Sequence, residues 1–181
     1  MKKILFMLFV SLFSVSISAQ SLQEPEFEFE PYLLNVADST LGKMLPVENA
    51  YAKAKAGASM YLVGMGKIKT YWYVDGKESS MVIPAGSRIV INTGGKSPMQ
   101  TLTINKMEQM GKKRRYQCGE AGTFTGATSG KETSENFKYK KYGKESVMIP
   151  LDGLEPGQYA LSITNMMTNN KSAKIYTFSI Q

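Results

Sequence analysis

The chain has 181 residues, with 22 Lys+Arg against 15 Asp+Glu and a formal net charge of +7. That length suits one ordinary domain able to bury a core without metals or disulfides, and the charge falls short of a dedicated polyanion binder. The absence of histidine excludes Ser-His-Asp and Cys-His catalysis and every histidine-ligated metal site, while a single cysteine, Cys118, leaves no intrachain disulfide.

At the N-terminus, Lys2 and Lys3 form a basic start, Ile4 to Val15 is apolar apart from small serines, and Ser16-Ile17-Ser18-Ala19 offers a small-residue cleavage site before Gln20. This pattern predicts an export signal over residues 1–19. The apolar run is short for a bilayer span, although an N-terminal membrane anchor is the alternative reading. No cysteine follows the junction, so the chain does not read as a lipoprotein. We expect an exported protein, periplasmic or secreted, with no integral membrane span in the mature chain. Loss of Lys2 and Lys3 would leave a net charge of +5. Residues 20–26 read as an acidic lead-in and residues 27–181 as one domain.

From residue 27 on, apolar residues alternate with polar ones more often than they follow a helical period. The acidic run Glu24 to Glu30, interleaved with Phe27 and Phe29, reads either as a first edge strand or as a solvated lead-in whose charge blunts an edge. Between Asn49 and Ala58, Ala50, Ala52, Ala54 and Ala56 alternate with Tyr51, Lys53 and Lys55. Period two favours a strand with a small-residue inner face, although alanine and lysine are also good helix formers. Ile68, Tyr71 and Tyr73 interleave with Lys67, Lys69, Trp72 and Val74, an aromatic-rich strand pattern. Asp75-Gly76 then predicts a hairpin turn returning through Met81-Val82-Ile83.

Further strands are predicted at Arg88 to Asn92, Thr101 to Met107, Arg114 to Cys118, Phe137 to Lys141, Ser146 to Ile149, Gln158 to Asn165 and Lys174 to Ile180. Turn signals fall at Gly94-Gly95, Gly119, Gly143, Gly153, Pro156-Gly157 and Asn169-Asn170. Thr125 to Asn136, rich in Gly, Ser and Thr, reads as a long loop. Many short strands at near-regular spacing predict an all-β fold, an antiparallel β-sandwich of immunoglobulin-like or related type. Its expected core draws on Tyr71 or Trp72, Ile89, Ile91, Leu102, Ile104, Tyr159, Leu161, Ile163, Tyr176 and Phe178.

Two passages echo each other. Gly76-Lys77-Glu78-Ser79 leads to Met81-Val82-Ile83-Pro84, and Gly143-Lys144-Glu145-Ser146 leads to Val147-Met148-Ile149-Pro150. This is either chance, since polar turn, apolar strand and proline is common in β proteins, or a trace of two related halves packed face to face.

The second half carries a resemblance. Lys113-Arg114-Arg115-Tyr116, Gly119, Gly122-Thr123-Phe124-Thr125-Gly126, Tyr142-Gly143-Lys144-Glu145-Ser146 and Leu154-Glu155-Pro156-Gly157-Gln158-Tyr159-Ala160-Leu161 follow in one order. The order resembles a group of uncharacterised exported bacterial β-sandwich proteins with a basic strand, a Gly/Phe turn, a Tyr-Gly-x-x-Ser strand and a final Leu-x-Pro-Gly-x-Tyr hairpin. Gln158 stands where glutamate is more usual in that hairpin. The resemblance implies a β-sandwich and no particular activity.

Candidate chemistry is sparse. Lys112, Lys113, Arg114, Arg115 and Tyr116 have the composition of a polyanion contact, to which Lys138, Lys140, Lys141 and Lys144 could add across a sheet. The competing reading is a solvated strand end that discourages edge pairing. In an exported protein the anion would be an acidic glycan, a lipid headgroup or a protein surface rather than nucleic acid. Met107 and Met110 form an M-x-x-M spacing and Met166-Met167 are adjacent, a pattern that can hold Cu(I) but more often fills irregular cores. Cys118 lies near Arg114 and Arg115, yet reads as a small buried hydrophobe rather than a nucleophile. No catalytic residue, metal site or cofactor is singled out. The preferred expectation is a non-enzymatic binding or structural module of the cell envelope, contacting an acidic glycan, an envelope component or a protein. A carboxylate-dependent glycan hydrolase is the alternative, and it would need two acids converging across a cleft.

Overall fold

The computed structural model describes residues 22–129, 134–164, 167–169 and 171–181. The predicted export signal lies outside the described residues. The elements in chain order are β1 (Pro31–Asn35), β2 (Thr40–Met44), β3 (Val47–Ala56), α1 (Ala58–Val63), β4 (Lys67–Asp75), β5 (Val82–Ile83), β6 (Arg88–Asn92), α2 (Pro98–Thr101), β7 (Leu102–Met110) and β8 (Lys113–Gly122). They continue with β9 (Gly126–Ser129), β10 (Ser134–Glu135), β11 (Lys140–Tyr142), β12 (Ser146–Pro150), β13 (Gly157–Ile163), β14 (Met167–Asn169) and β15 (Ser172–Ile180).

The fold is an all-β sandwich. A five-stranded sheet runs β11-β12-β6-β1-β2, and a ten-stranded sheet runs β10-β7-β13-β15-β3-β4-β8-β9 with β5 and β14 paired to β15. The larger sheet closes on itself. Its strand β7 pairs with β13 through Leu102–Met107 and then, past a bend, with β8 through Glu108–Met110. The ring β7-β13-β15-β3-β4-β8 is thereby complete, a six-stranded antiparallel barrel packed by one wall against the five-stranded sheet.

Closure gives strands in the shared wall two buried faces, because successive side chains point to opposite sides. On β15, Tyr176, Phe178 and Ile180 face the five-stranded sheet, while Ala173 and Ile175 face the barrel interior. Strand β13 divides likewise, with Tyr159, Leu161 and Ile163 toward the sheet and Ala160 toward the barrel. The sandwich core is completed by Ile89, Ile91, Val147 and Ile149 from β6 and β12 and by Leu102 and Ile104 from β7. Full burial of a Leu or Phe side chain contributes roughly 1.5–3 kcal/mol, so this layer dominates the apolar stabilisation.

The barrel interior is narrow. Ala50, Ala160 and Ala173 leave room for Trp72, which lies in register with Ala52 on one side and Tyr116 on the other. That is the reason for alanine at positions 50 and 52 of β3, whereas Ala54 is exposed and Ala56 half-buried past the closed ring. Of the two aromatic core candidates, Trp72 is buried and Tyr71 faces outward, and the remaining expected core residues are all buried.

The structure corrects several sequence expectations. Of the two readings of the acidic run, the structure takes the lead-in: β1 starts at Pro31, and Phe29 adopts a left-handed φ of 64° that interrupts extended chain. Asp75-Gly76 does not return the chain against β4, whose neighbours are β3 and β8; instead β5 lies parallel to the end of β15. The Thr125–Asn136 stretch holds β9 and β10 rather than loop alone. The two Lys-Glu-Ser passages occupy unlike places, a two-residue parallel strand at β15 and a five-residue strand between β11 and β6. The described part of the lead-in is tied down: Leu41 N–H donates to Gln23 Oε1 (3.1 Å) and Asn92 Nδ2 donates to the Pro25 carbonyl (3.2 Å).

Candidate functional site

Strand alternation splits the predicted basic cluster. Lys112 sits exposed in the β7–β8 turn, Lys113 and Arg115 point outward, and Arg114 and Tyr116 point into the barrel. Arg114 is fully buried. Its Nη2 lies 2.6 Å from Glu48 Oε2 and donates to the Asp75 carbonyl (3.3 Å), and its Nε donates to the Gly76 carbonyl (3.1 Å). The Glu48 carboxylate also accepts from the Thr177 hydroxyl, which is 2.9 Å from that of Ser79. Tyr116 shares a 2.8 Å hydrogen bond with Ser162, and burial pushes its phenol far above the usual tyrosine range. Both residues therefore belong to the barrel's interior rather than to an accessible surface.

The outer face of β3, β4 and β8 carries a different constellation. Tyr51, Tyr73 and Arg115 stand side by side in register across the three strands. Tyr51 and Tyr73 stack with centroids 5.9 Å apart, and the Arg115 guanidinium lies 4.2 Å from the Tyr71 ring centroid, the short range expected of a cation over an aromatic face. Arg115 also donates to Glu108 (2.9 and 3.1 Å) and to the Tyr73 hydroxyl (3.2 Å), so its side chain is only 12% exposed. Lys113 pairs with Asp75 at 3.1 Å, lies over the Tyr51 ring and donates to the Tyr51 hydroxyl. These hydrogen bonds, that to Tyr51 first, hold its ammonium above the usual lysine range.

Toward the other end of the same face, Lys55, Lys67, Lys69 and Tyr71 line a groove of about 410 Å³ floored by Gly57, Ser59 and Gly66. Glu120 lies 2.5 Å from Lys67 and 3.7 Å from Lys69, and its hydrogen bond with Lys67 holds the carboxyl below the usual range. Among the described residues no carboxylate pairs with Lys53 or Lys55, both exposed. These lysines were the residues that sequence reasoning missed as a site. The signal was present, because Lys53, Lys55, Lys67 and Lys69 hold the same odd phase as Tyr51, Tyr71 and Tyr73.

Other candidates disperse. Lys140 and Lys141 belong to β11 in the five-stranded sheet, remote in strand order from β8, so they do not extend the basic strand. Met107 is buried in the barrel while Met110 is exposed at the β7–β8 hairpin, and the two lie on opposite faces of β7. The Met166-Met167 pair reaches outside the described residues. Cys118 packs partly buried against the barrel interior, its thiol 3.4 Å from the Thr70 carbonyl and pushed up by burial. Among the described residues no three acidic or cysteine side chains gather as a metal site, and no helix is long and apolar enough to cross a membrane. Comparison with family models, with curated proteins and with solved structures returns no significant match.

Proposed function

We propose that the protein is an exported, non-enzymatic binding module of the cell envelope that takes an acidic glycan on the outer face of β3, β4 and β8. The carrying observation is the in-register array of Tyr51, Tyr71 and Tyr73 beside Lys53, Lys55, Lys69 and Lys113 on one outward sheet face. Half-exposed tyrosine rings offer flat apolar surface for the C–H face of a sugar, and lysine ammonium groups offer charge-assisted hydrogen bonds to its carboxylates. The N-terminal export pattern supports the compartment.

The described carboxyls give the hydrolase alternative little support. Glu120 and Glu155 are held below the usual range by lysine partners, and Asp38 by its hydrogen bonds to Thr40. A general acid for glycoside cleavage needs the opposite displacement.

Calorimetric titration of the processed protein with a uronic-acid polysaccharide, against a neutral glucan, tests the reading. Binding should be selective for the acidic polymer and should weaken from low to physiological salt, where the Debye length is ~8 Å. The Lys53→Gln/Lys113→Gln variant should bind at least several-fold more weakly with the melting temperature little changed, because exposed charges contribute at most about 1 kcal/mol to folding. Equal affinity for both polymers, or no effect of the substitutions, removes the site.

A further inference from the structure

Among the described residues, strands β3, β4, β8 and β9 run on beyond the closed ring, since β15 pairs in register with β3 only as far as Tyr51 and β7 with β8 only as far as Arg115. At the end of this flap, α1 and the loop after it carry Tyr61, Leu62, Val63 and Met65, and the β8–β9 turn carries Phe124, all exposed. Leu62 and Phe124 are 82% and 84% exposed, and five large apolar side chains on two neighbouring loops form a cluster rather than scattered surface residues. The two loops are joined. Thr123 N–H donates to the Gly66 carbonyl (3.0 Å) and Gly66 N–H donates to Thr123 Oγ1 (3.1 Å), which holds the two apolar loops side by side at this end. Immediately behind it stand Lys55, Lys67 and Lys69, with Glu120 as their carboxylate neighbour.

An apolar tip with a basic collar matches the layered chemistry of an anionic bilayer, apolar at depth and negative at the surface. Five apolar side chains on a convex loop pair are far fewer than the 20–30 residues a side of a standard protein interface. Tip-to-tip contact of two copies would oppose lysine to lysine, a like-charge arrangement that disfavours self-association.

We propose that this tip docks the protein on the surface of an anionic phospholipid bilayer, Leu62, Val63 and Phe124 entering the headgroup–acyl boundary while Lys55, Lys67 and Lys69 meet the lipid phosphates. The proposal goes beyond the glycan reading, since its apolar contacts come from the tip and not from the tyrosine face. Binding at the tip would engage Lys55 and Lys69 and leave Tyr51, Tyr73, Lys53 and Lys113 of the β3–β4–β8 face free beside the membrane.

Co-sedimentation of the processed protein, its N-terminus fixed by mass spectrometry, with vesicles of phosphatidylcholine alone or mixed with phosphatidylglycerol provides the test. Wild type should partition onto the mixed vesicles, less onto the neutral ones, and less again at high salt. Leu62→Ser/Phe124→Ser should lower partitioning by at least ~tenfold, given the transfer free energy of two large apolar side chains, and should leave titration with the acidic glycan and the near-ultraviolet circular dichroism unchanged. Lys55→Gln/Lys69→Gln should abolish the preference for phosphatidylglycerol. Failure of wild type to bind the mixed vesicles, or binding that the tip variant retains, overturns the proposal. A dimer in sedimentation velocity that the tip variant abolishes would assign the tip to a second copy instead.

Discussion

The guanidinium of Arg114 and the carboxylate of Glu48 meet at 2.6 Å in the barrel, the arginine fully buried and the glutamate 24% exposed. Arg114 comes from β8 and Glu48 from β3, two strands held apart by β4. Their contact spans the interior. Among the described residues, the guanidinium nitrogen Nη1 has no hydrogen-bond partner, and the charge is met by Glu48 and by the two carbonyls of the Asp75-Gly76 turn.

Breaking this pair from one side should be severe. Glu48→Gln leaves a buried cation without its counter-charge and should lower the unfolding free energy by about 3 kcal/mol. Arg114→Met/Glu48→Leu, which removes both charges, should recover at least half of that loss. Urea denaturation of each variant measures this, provided the m value is unchanged. A Glu48→Gln variant within ~0.5 kcal/mol of wild type would contradict the account.

A second prediction concerns acid stability. Glu24 lies under the β11–β12 turn and accepts the N–H groups of Lys144 (2.6 Å) and Glu145 (3.0 Å). Partial burial opposes its ionisation, but the Lys144 donor, with Ser146 and Glu145, outweighs it and holds the carboxyl below the usual range. A carboxyl whose folded pKa lies below its unfolded value contributes stability above the unfolded pKa and loses it as pH falls through the folded one. Wild type should therefore lose this contribution on descending through and below about pH 4, the ordinary range of glutamate. Glu24→Gln should be less stable at pH 7, and the difference should shrink toward pH 3. Gly143→Ala should mimic it at neutral pH, since a Cβ there, at a φ of 63°, would overlap the Glu24 carboxyl. Thermal unfolding across pH 3–7 decides the matter, and a gap that widens on acidification counts against it.

The remaining prediction concerns redox and metal independence. With Cys118 packed partly into the barrel and its thiol pushed up by burial, the thiolate that alkylates is scarce at neutral pH. Iodoacetamide should label the folded protein far more slowly than the urea-unfolded one. Neither reductant nor chelator should move the melting temperature. Rapid labelling of the folded state would place the thiol in solvent, and a shift with either reagent would reveal a disulfide between chains or a bound ion.

Much of the fold was legible because strand periodicity is local. Ile89 with Ile91, and Tyr159 with Leu161 and Ile163, announce a shared face two residues at a time, and each set is buried. Trp72 could not be told from Tyr71, since both neighbours suit a strand and only the barrel decides which of them points inward. The parallel pairing of β5 was hidden for a related reason. Asp75-Gly76 has hairpin chemistry, but Gly76 N–H is held instead by the Lys112 carbonyl at the neighbouring β7–β8 turn. The candidate site was legible in its phase and not in its membership. The run Lys112 to Tyr116 drew the eye as a cluster along the chain, whereas the outward face gathers side chains from three strands.

The sequence by itself determined an all-β chain without histidine chemistry, the odd-phase tyrosines and lysines, and most of the sandwich core, because these follow from composition and from a two-residue period. Tertiary structure alone decided that β7 would meet β8 and close a barrel, and so whether a basic residue of β8 would face water or the interior. Period two states which residues share a side and never which side is inside. For Arg114 that choice rests on Glu48, 66 residues away, and on the Gly76 carbonyl, 38 residues away, partners that only the closed ring brings within hydrogen-bonding distance.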